Sequence, residues 1–161
     1  MYLSVIHSPF GPLTLTASGT ALTGLWFAGQ KYAPVHPEGT FDPEHIVFKE
    51  TADWLSAYFS HSPLPPMPSL APHGTEFQQA VWQQLLNIPY GKTVTYGAIA
   101  AALRTAGRPA SAQAVGGAVG RNPISILIPC HRVIGANGSL TGYAGGLEIK
   151  RHLLALERNV F

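Results

Sequence analysis

The chain has 161 residues, of which 46% are hydrophobic, and a formal net charge of +2, so it can bury a core in one domain or in two unequal lobes. The sequence has no run of about eighteen apolar residues, so we expect no membrane span. Its start has no basic segment followed by an apolar block, so we expect no secretory signal. A single cysteine excludes an internal disulfide, a cysteine-rich zinc site and a redox pair of thiols, and favours a reducing, cytoplasmic setting.

Charge is distributed unevenly along the chain. Residues 1–77 carry two cations and six carboxylates, whereas residues 78–161 carry eight cations and two carboxylates. An acidic first half (−4) and a basic second half (+6) are typical of a protein with a polyanionic partner such as nucleic acid, although an uneven surface without functional meaning gives the same pattern. The cysteine lies in the basic half.

The first lobe is predicted to be a small antiparallel sheet followed by a helix. Three short β-type runs, "YLSVIHS", "LTLTAS" and "ALTGLWFAG", with the turn "PFG" after the first, predict a hairpin and a third strand. Residues 32–46 are rich in proline, glycine and histidine and predict a loop. The next segment has the spacing of an amphipathic helix, with apolar residues at Val47, Trp54, Leu55 and Tyr58.

A proline-rich segment separates this lobe from the rest of the chain. Residues 62–74 contain five prolines in thirteen positions and predict an extended linker without a regular element. We therefore expect a sheet-and-helix lobe over residues 1–61, this linker, and a second lobe over residues 75–161. The expected fold class is α/β (α+β), with a small antiparallel-sheet lobe followed by a mainly helical lobe.

The second lobe is predicted to contain a helix-turn-helix. Thr75 and Gln78 have the spacing of a capping box, and a helical pattern follows as far as "PYGK", residues 89–92. "TVTYGAIAAALRTAG" and "PASAQAVGGAVGRNP" predict two short helices joined by a tight turn that contains glycine. The second of these consists largely of alanine and glycine, which indicates either close packing against a neighbouring element or close approach to a phosphate backbone or narrow groove.

The cysteine lies between a predicted strand and a glycine-rich loop. "ISILI", residues 124–128, predicts a short buried strand that delivers Pro129, Cys130 and His131 at its end. Residues 135–146 predict the loop, and "LEIKRHLLALE" predicts a closing helix.

Cys130 can be a small buried hydrophobe or a nucleophile. A nucleophilic cysteine needs its thiolate, and therefore a base or a positive environment. The basic half offers two histidines, His131 and His152, and two carboxylates, Glu148 and Glu157. Because neighbours in a regular strand point to opposite faces, contact between Cys130 and His131 requires a turn at the cysteine or a bridging water.

Three stretches around the cysteine are distinctive: "GTEFQQAVWQQLLNIPYGKTVTYGAIA", "IPCHRVIG" and "GSLTGYAGGLEIKRHLLALE". They closely resemble the O6-alkylguanine-DNA alkyltransferases, also called methylated-DNA–protein-cysteine methyltransferases. The resemblance is dense over residues 74–157 and extends to residues 1–60 in general layout.

The resemblance implies direct-reversal repair of double-stranded DNA. The protein would bind the minor groove through its helix-turn-helix, flip out O6-alkylguanine and move the alkyl (methyl) group to the cysteine sulfur in one in-line displacement. O4-alkylthymine is a second candidate substrate. Each molecule would act once, without cofactor, metal or membrane, as a monomer; cooperative binding along DNA stays open.

Carried over by motif position, the resemblance gives four residues roles in catalysis. Cys130 would accept the alkyl group, and its sulfur is expected to be ionised near neutral pH and open to a flipped base. His131, acting through a water and oriented by Glu157, would take the thiol proton. Asn122 would tie the recognition helix to the active site.

The resemblance also implies a base pocket and a DNA surface. Tyr96 would press on the phosphate of the target nucleotide and help to rotate it, and Tyr143 would donate a hydrogen bond to the guanine. Val133 and the backbone of Ala144 and Gly145 would line the pocket. The implied DNA-binding residues are Thr95, Ala110, Ser111, Ala112, Gln113, Gly117, Arg121 and Arg132.

The chain departs from the family pattern in the recognition helix and in the pocket. Many members have an arginine that enters the base stack where this chain has Gln113, which predicts weaker flipping or a task shared with Arg108 or Arg121. Some members have a serine where this chain has Ala144, so one side-chain hydrogen bond to the base is missing. The stretch between Tyr96 and Gln113 is also a few residues longer than expected.

Three alternative functions stay open from the sequence. A non-catalytic relative that flags alkylated DNA lacks the cysteine, so this reading requires that Gln113 has disabled the chemistry. A helix-turn-helix transcription regulator with Cys130 in its core predicts sequence-specific binding that is indifferent to Cys130→Ala. A papain-like thiol hydrolase normally has its histidine far downstream of the cysteine, where only His152 is available.

Overall fold

The computed structural model describes residues 1–158. The chain divides into two compact units, Met1–His73 and Gly74–Phe161. The first consists of a sheet and one helix and the second is mainly helical, which confirms the predicted fold class. Among the described residues, no helix is both long enough and apolar enough to cross a membrane.

The first unit is built on a four-stranded sheet with the order β3-β2-β1-β4. Strands β1 (Tyr2–Ser8), β2 (Gly11–Ser18) and β3 (Ala21–Phe27) are antiparallel, whereas the short β4 (Thr40–Phe41) pairs in parallel with the start of β1. The centre of the sheet is fully buried, because alternate residues of β2 point to the core together with the residues of β3 that pair with them. The buried apolar side chains here are Leu13, Leu15, Ala17, Leu22 and Leu25.

One helix, α1 (Ile46–Phe59), packs against β2 and β3 with the face that the sequence predicts. His45 caps its first turn: ring Nδ1 accepts from the amide of Val47 at 3.2 Å, and Nε2 lies 2.9 Å from the carbonyl of Gly19. A carbonyl can only accept, so Nε2 carries the proton. The predicted apolar positions are all buried, namely Val47, Trp54, Leu55 and Tyr58.

The proline-rich segment contains no helix and only a single bridge residue, Leu70, which lies beside the sheet. The amide of Leu22 donates to the carbonyl of Ser69, and the amide of Ala71 donates to the carbonyl of Leu22, both at 2.8 Å. Leu70 thereby forms a parallel bridge with β3. The predicted loop over residues 32–46 contains β4, which is too short to leave a periodic pattern.

Three helices form the first half of the second unit. The predicted capping box at the start of α2 (Glu76–Leu86) is confirmed by reciprocal bonds between Thr75 and Gln78. Helices α3 (Tyr96–Thr105) and α4 (Ala112–Gly120) pack against each other and against α2. Trp82 holds α2 to α4 by donating from Nε1 to the carbonyl of Ala118 at 2.9 Å.

The segment that carries the cysteine is not a strand, and the prediction for residues 124–128 is wrong. The chain turns there, with the amide of Leu127 bonded to the carbonyl of Ser125 and the amide of Ile128 to that of Ile124. Its isoleucines and leucine are buried on all sides. An apolar run of this kind occurs both in buried strands and in buried loops, so composition alone does not distinguish them. Prolines at 123 and 129 remove amide donors at both ends.

The remaining elements hold the cysteine against the closing helix. A 3-10 turn over Cys130–Arg132 leads into β6 (Val133–Ile134), which pairs in parallel with β5 (Val94–Thr95). After a long loop, α5 (Leu147–Glu157) packs on the 3-10 turn. This arrangement brings the start of α3, the cysteine and the last turn of α5 into one site.

Candidate active site

Asn122 organises the loop between α4 and the cysteine. Its Nδ2 donates to the carbonyl of Ile128 at 2.8 Å, and its Oδ1 accepts from the amide of Ile124 at 3.0 Å. Asn122 is only 4% exposed, so losing its side chain would leave both partners buried without their hydrogen bonds. This one side chain therefore fixes both ends of the turn that precedes Cys130.

A strained residue lies in the middle of the same loop. Ile126 has φ +72°, a region that β-branched residues rarely adopt, and the amide of Leu127 donates to the carbonyl of Ser125 across it at 2.9 Å. A three-residue turn of this hand is rare, and such strain costs about 1–3 kcal/mol. Burial of the Ile126 side chain maintains it. The backbone conformation of the loop that precedes Cys130 is therefore closely fixed.

Cys130 is enclosed, with only 6% of its surface exposed. Burial raises the pKa of its thiol above the ordinary value of 9.0, against the opposing effects of a hydrogen bond from Asn122, the charge of Lys150 and a hydrogen bond from Tyr143. The expectation of a sulfur that is ionised near neutral pH and open is therefore wrong. Any nucleophilic reaction at this sulfur requires that the thiol first loses its proton.

The structure selects His131 and Glu157 from the possible members of a relay. Nε2 of His131 lies 2.5 Å from Oε2 of Glu157, and both side chains are fully buried. His152 and Glu148 instead lie exposed on α5. Nε2 donates to the carboxylate, so Nδ1 is the basic nitrogen of the neutral ring. Burial lowers the pKa of His131 below its ordinary 6.5, although Glu157 opposes this, so the ring is neutral at pH 7.

Arg132, which was expected to contact DNA, points into the protein. Its Nε and Nη2 donate to the two carboxylate oxygens of Glu157 at 2.8 and 3.1 Å, and its Nη1 donates to the carbonyl of Ile88 at 2.8 Å. The side chain is only 10% exposed. A guanidinium that donates a hydrogen bond to each carboxylate oxygen fixes the orientation of the carboxylate. Arg132 therefore positions the residue that orients His131.

The turn after α2 closes over the same carboxylate. The amide of Gly91 donates to Oε1 of Glu157 at 3.0 Å, and the guanidinium of Arg132 lies 5.8 Å from the centre of the Tyr90 ring. Gly91 has φ +79°, so a side chain there would be strained. The segment that the sequence identifies only as a helix stop thus completes the environment of Glu157.

Lys150 is a buried cation that the sequence reasoning missed. Its Nζ donates to the carbonyls of Val133 and Thr141 at 2.5 and 2.9 Å, and its charge acts on Cys130. The signal was present, because Lys150 lies on the same face of α5 as Leu153, Leu154 and Glu157, all of them buried. A charged residue on the buried face of a helix indicates a specific partner.

The residues expected to form the base pocket lie around the loop that follows β6. Tyr143 and Val133 are buried, and Ala144 and Gly145 are half-buried. The hydroxyl of Tyr96 donates to the carbonyl of Thr141 at 3.1 Å, the same carbonyl that Lys150 contacts. Tyr96 and Lys150 together hold the loop beside the cysteine.

The outward face of helix α4 carries very small residues, although packing within the protein does not require them at every position. A methyl group added at Gly117 would meet no atom within 4 Å, and at Gly116 it would make only ordinary contact with the ring of Tyr96. The alternative of close packing is thus excluded at Gly117. The hydroxyls of Thr95 and Ser111 cap α3 and α4, and the exposed residues of this surface include Ala112, Gln113, Gly117 and Arg121.

Comparison with known proteins identifies the family. The protein-family model for the DNA-binding domain of 6-O-methylguanine DNA methyltransferase matches residues 76–159 of the sequence. The family model for the ribonuclease-like domain of the same protein matches residues 1–65. The chain belongs to this family. The resemblance noted in the sequence is confirmed.

Relatives of the family match along nearly the whole chain. The methylated-DNA–protein-cysteine methyltransferases of Mycobacterium bovis and Methanosarcina acetivorans are 48% and 46% identical, covering 99% and 98% of this chain and 93% and 98% of their own. A crystal structure of Mycobacterium tuberculosis OGT in complex with DNA is 46% identical, covers 99% of this chain and 94% of its own, and superposes with a TM-score of 0.87.

Within this methyltransferase site, Lys150→Met is expected to slow alkyl transfer roughly tenfold, the equivalent of one pKa unit. Removing a nearby positive charge raises the pKa of the Cys130 thiol further, and the carbonyls of Val133 and Thr141 each lose a hydrogen bond. The test is the single-turnover rate against pH, in which the variant should recover activity as the pH rises. Arg151→Met, on the exposed side of α5, is the matched control. Equal rates in both variants would contradict this role.

Proposed function

We propose that this chain repairs double-stranded DNA by moving the alkyl group of O6-alkylguanine to Cys130, once per molecule. The observation that carries the assignment is the position of its single thiol, which lies beside Asn122, Tyr143 and Lys150 at the end of the helix-turn-helix. O4-alkylthymine is the second substrate to test. Because the site depends on a reduced thiol and a DNA substrate, we place the protein in the cytoplasm.

The proposed chemistry balances within the site. Nδ1 of His131 takes the thiol proton through a water, and the carboxylate of Glu157 stabilises the imidazolium that forms. The sulfur of Cys130 attacks the alkyl carbon in line, a carbon–sulfur bond forms, and the bond between that carbon and guanine O6 breaks. The electron pair of the broken bond leaves with the guanine, which Tyr143 stabilises by a hydrogen bond. A stable thioether results, and the guanine anion takes up a proton to become an intact base while His131 releases the proton that it accepted from the thiol.

The proposed DNA surface combines α4 with the cations of the second unit. A small outward face lets α4 approach the minor groove closely, and six of the eight cations in residues 78–161 lie at the surface to contact phosphates. Tyr96, at the start of α3, would rotate the target nucleotide. We assign the remaining contacts to Thr95, Ala110, Ser111, Ala112, Gln113, Gly117 and Arg121.

Gln113→Arg is expected to raise the transfer rate on duplex DNA several-fold. Gln113 is exposed on α4, and an arginine there adds length, charge and cation–π contact to fill the gap left by a flipped base. The rate with free O6-methylguanine base, which needs no flipping, should not change and serves as the control. An unchanged rate on duplex DNA would assign flipping to Arg108, which is paired with Glu76, or to Arg121.

The decisive experiment incubates the protein with a duplex that bears O6-methylguanine. Peptide mass analysis should show the gain of one methyl group at Cys130, with one base repaired per molecule. Cys130→Ala should bind the same duplex without repairing it. Repair that survives Cys130→Ala would refute the assignment, and sequence-specific binding that ignores both the lesion and the cysteine would favour a transcription regulator.

A further inference from the structure

The first unit presents an incomplete sheet edge on β1. All seven residues of β1 pair with β2, whereas β4 pairs only with Tyr2 and Leu3. Along Ser4–Ser8, no other strand of the described part of the chain lies beside β1 on the β4 side. Exposed backbone donors and acceptors on an edge are a template for an added strand.

The register identifies the backbone groups on this edge. The carbonyl of Leu3 accepts from the amide of Asp42 at 2.9 Å and therefore faces the β4 side. Main-chain groups of alternate residues in a strand face the same edge, so the amides and carbonyls of Val5 and His7 do too. These residues supply two donors and two acceptors to an incoming strand.

A cavity of about 350 Å³ opens at the same place. It is lined by Ile6 and His7 of β1 and by one side of α1. Consecutive strand residues point to opposite faces, so a cavity bounded by both Ile6 and His7 reaches the edge of the sheet. From α1 it is lined by Ala52, Leu55, Ser56, Phe59 and Ser60. This cavity can hold an apolar side chain of a strand that pairs with Val5 and His7.

The edge lacks the features that usually prevent strand addition. Residues 3–8 contain no proline and no charged lysine, glutamate or aspartate, and Val5 is 47% exposed. Edge strands that must not pair carry such residues or are covered. The segment Ser4–Ser8 is therefore available for pairing.

The surrounding charge defines the chemistry of the partner. Residues 42–53 comprise the segment after β4 and the first half of α1. They contain four carboxylates and one lysine. That lysine, Lys49, pairs with Glu44 at 2.6 Å. The resulting charge of −3 favours lysine or arginine in whatever binds beside β1.

We propose that β1 and this cavity bind an extended segment of another protein, in which an apolar residue is flanked by lysine or arginine. The segment adds as a strand to Val5 and His7, and its apolar side chain enters the cavity. A second copy of this chain is a poorer occupant, because its own edge strand is neutral and the surrounding unit is acidic. This proposal concerns the first unit and is independent of the alkyl-transfer chemistry.

The test is selection of peptides from a random octapeptide phage library on the full-length protein. Enriched peptides should alternate apolar and basic residues, and amide hydrogen exchange at Val5 and His7 should slow on binding. Val5→Pro, which removes an outward amide without breaking the ladder with β2, should weaken binding at least tenfold, whereas Val5→Thr should not. Ser56→Trp should fill the cavity and weaken binding similarly, whereas Ser56→Ala should not.

All four variants should retain full alkyl transfer and the circular dichroism spectrum and thermal unfolding of the parent protein, and the latter two show that the first unit folds. The proposal fails if no sequence is enriched, or if the enriched peptides bind Val5→Pro and Ser56→Trp as tightly as the parent protein. It also fails if sedimentation shows a dimer that Val5→Pro dissociates, because the edge would then pair with a second copy.

Discussion

Replacing Glu157 by glutamine is expected to slow alkyl transfer by roughly 10²–10³-fold and to lower the free energy of unfolding by about 3–5 kcal/mol. The slower rate follows because the carboxylate orients His131 and stabilises its protonated form. The lower stability follows because Arg132 keeps its buried guanidinium but loses its anion. Single-turnover kinetics on duplex DNA and denaturant unfolding measure the two effects.

A second substitution separates these effects. Adding Arg132→Met to Glu157→Gln removes the unpaired cation, so the double variant should regain most of the lost stability. It should not regain the rate, because His131 still lacks its carboxylate. If the double variant recovers both, Glu157 serves the fold and not the proton transfer.

The pH dependence of transfer gives an independent test of the same relay. His131 must be neutral to accept a proton, and burial lowers its pKa below 6.5. The rate should therefore hold as the pH falls to 6.5 and drop only at lower pH. Glu157 raises the pKa of His131, so in Glu157→Gln the acid limb should move to still lower pH while the plateau falls. An acid limb above pH 6.5 in the parent protein would contradict the neutral buried ring.

Asn122→Asp is expected to slow transfer by about 10²-fold and to destabilise the second unit by about 2–4 kcal/mol. Aspartate can still accept from the amide of Ile124, but it cannot donate to the carbonyl of Ile128. Its negative charge also lies beside Cys130 and raises the pKa of the thiol further. Both the loop and the nucleophile are therefore affected.

Asn122→Ala is the matched comparison, because it loses the same donor without adding charge. The rate of Cys130 alkylation by iodoacetamide, followed against pH, should shift to higher pH in Asn122→Asp more than in Asn122→Ala. Identical profiles for the two variants would show that Asn122 acts on the loop alone and not on the sulfur.

Much of the fold was predictable because its signals are local. The capping box of α2, the buried face of α1 and the first three strands depend on spacing within a few residues, and the structure confirms them. The strand predicted over residues 124–128 is wrong because a loop buried on all sides has the same apolar composition. What decides between them is Asn122, whose side chain replaces the hydrogen bonds of a ladder.

The sequence predicted which residues belong to the site better than it predicted how their side chains are arranged. His131 and Glu157 follow from the small number of candidates in the basic half and from the family motif. Arg132 was expected at the DNA surface from its position in the family motif, and nothing local in the sequence shows that the pairing of β5 with β6 brings its guanidinium close to the Tyr90 ring. The raised pKa of the Cys130 thiol likewise depends on burial by distant segments.

The glycine at position 117 shows what the DNA surface that we propose requires of the fold. Alanine would fit there without touching another atom, and in a helix it is about 1 kcal/mol more favourable than glycine. Helix α4 is therefore less stable than its surroundings would allow. A version of this protein selected only for heat resistance would gain a methyl group at Gly117, and on the proposed surface that methyl group would hold the helix farther from DNA.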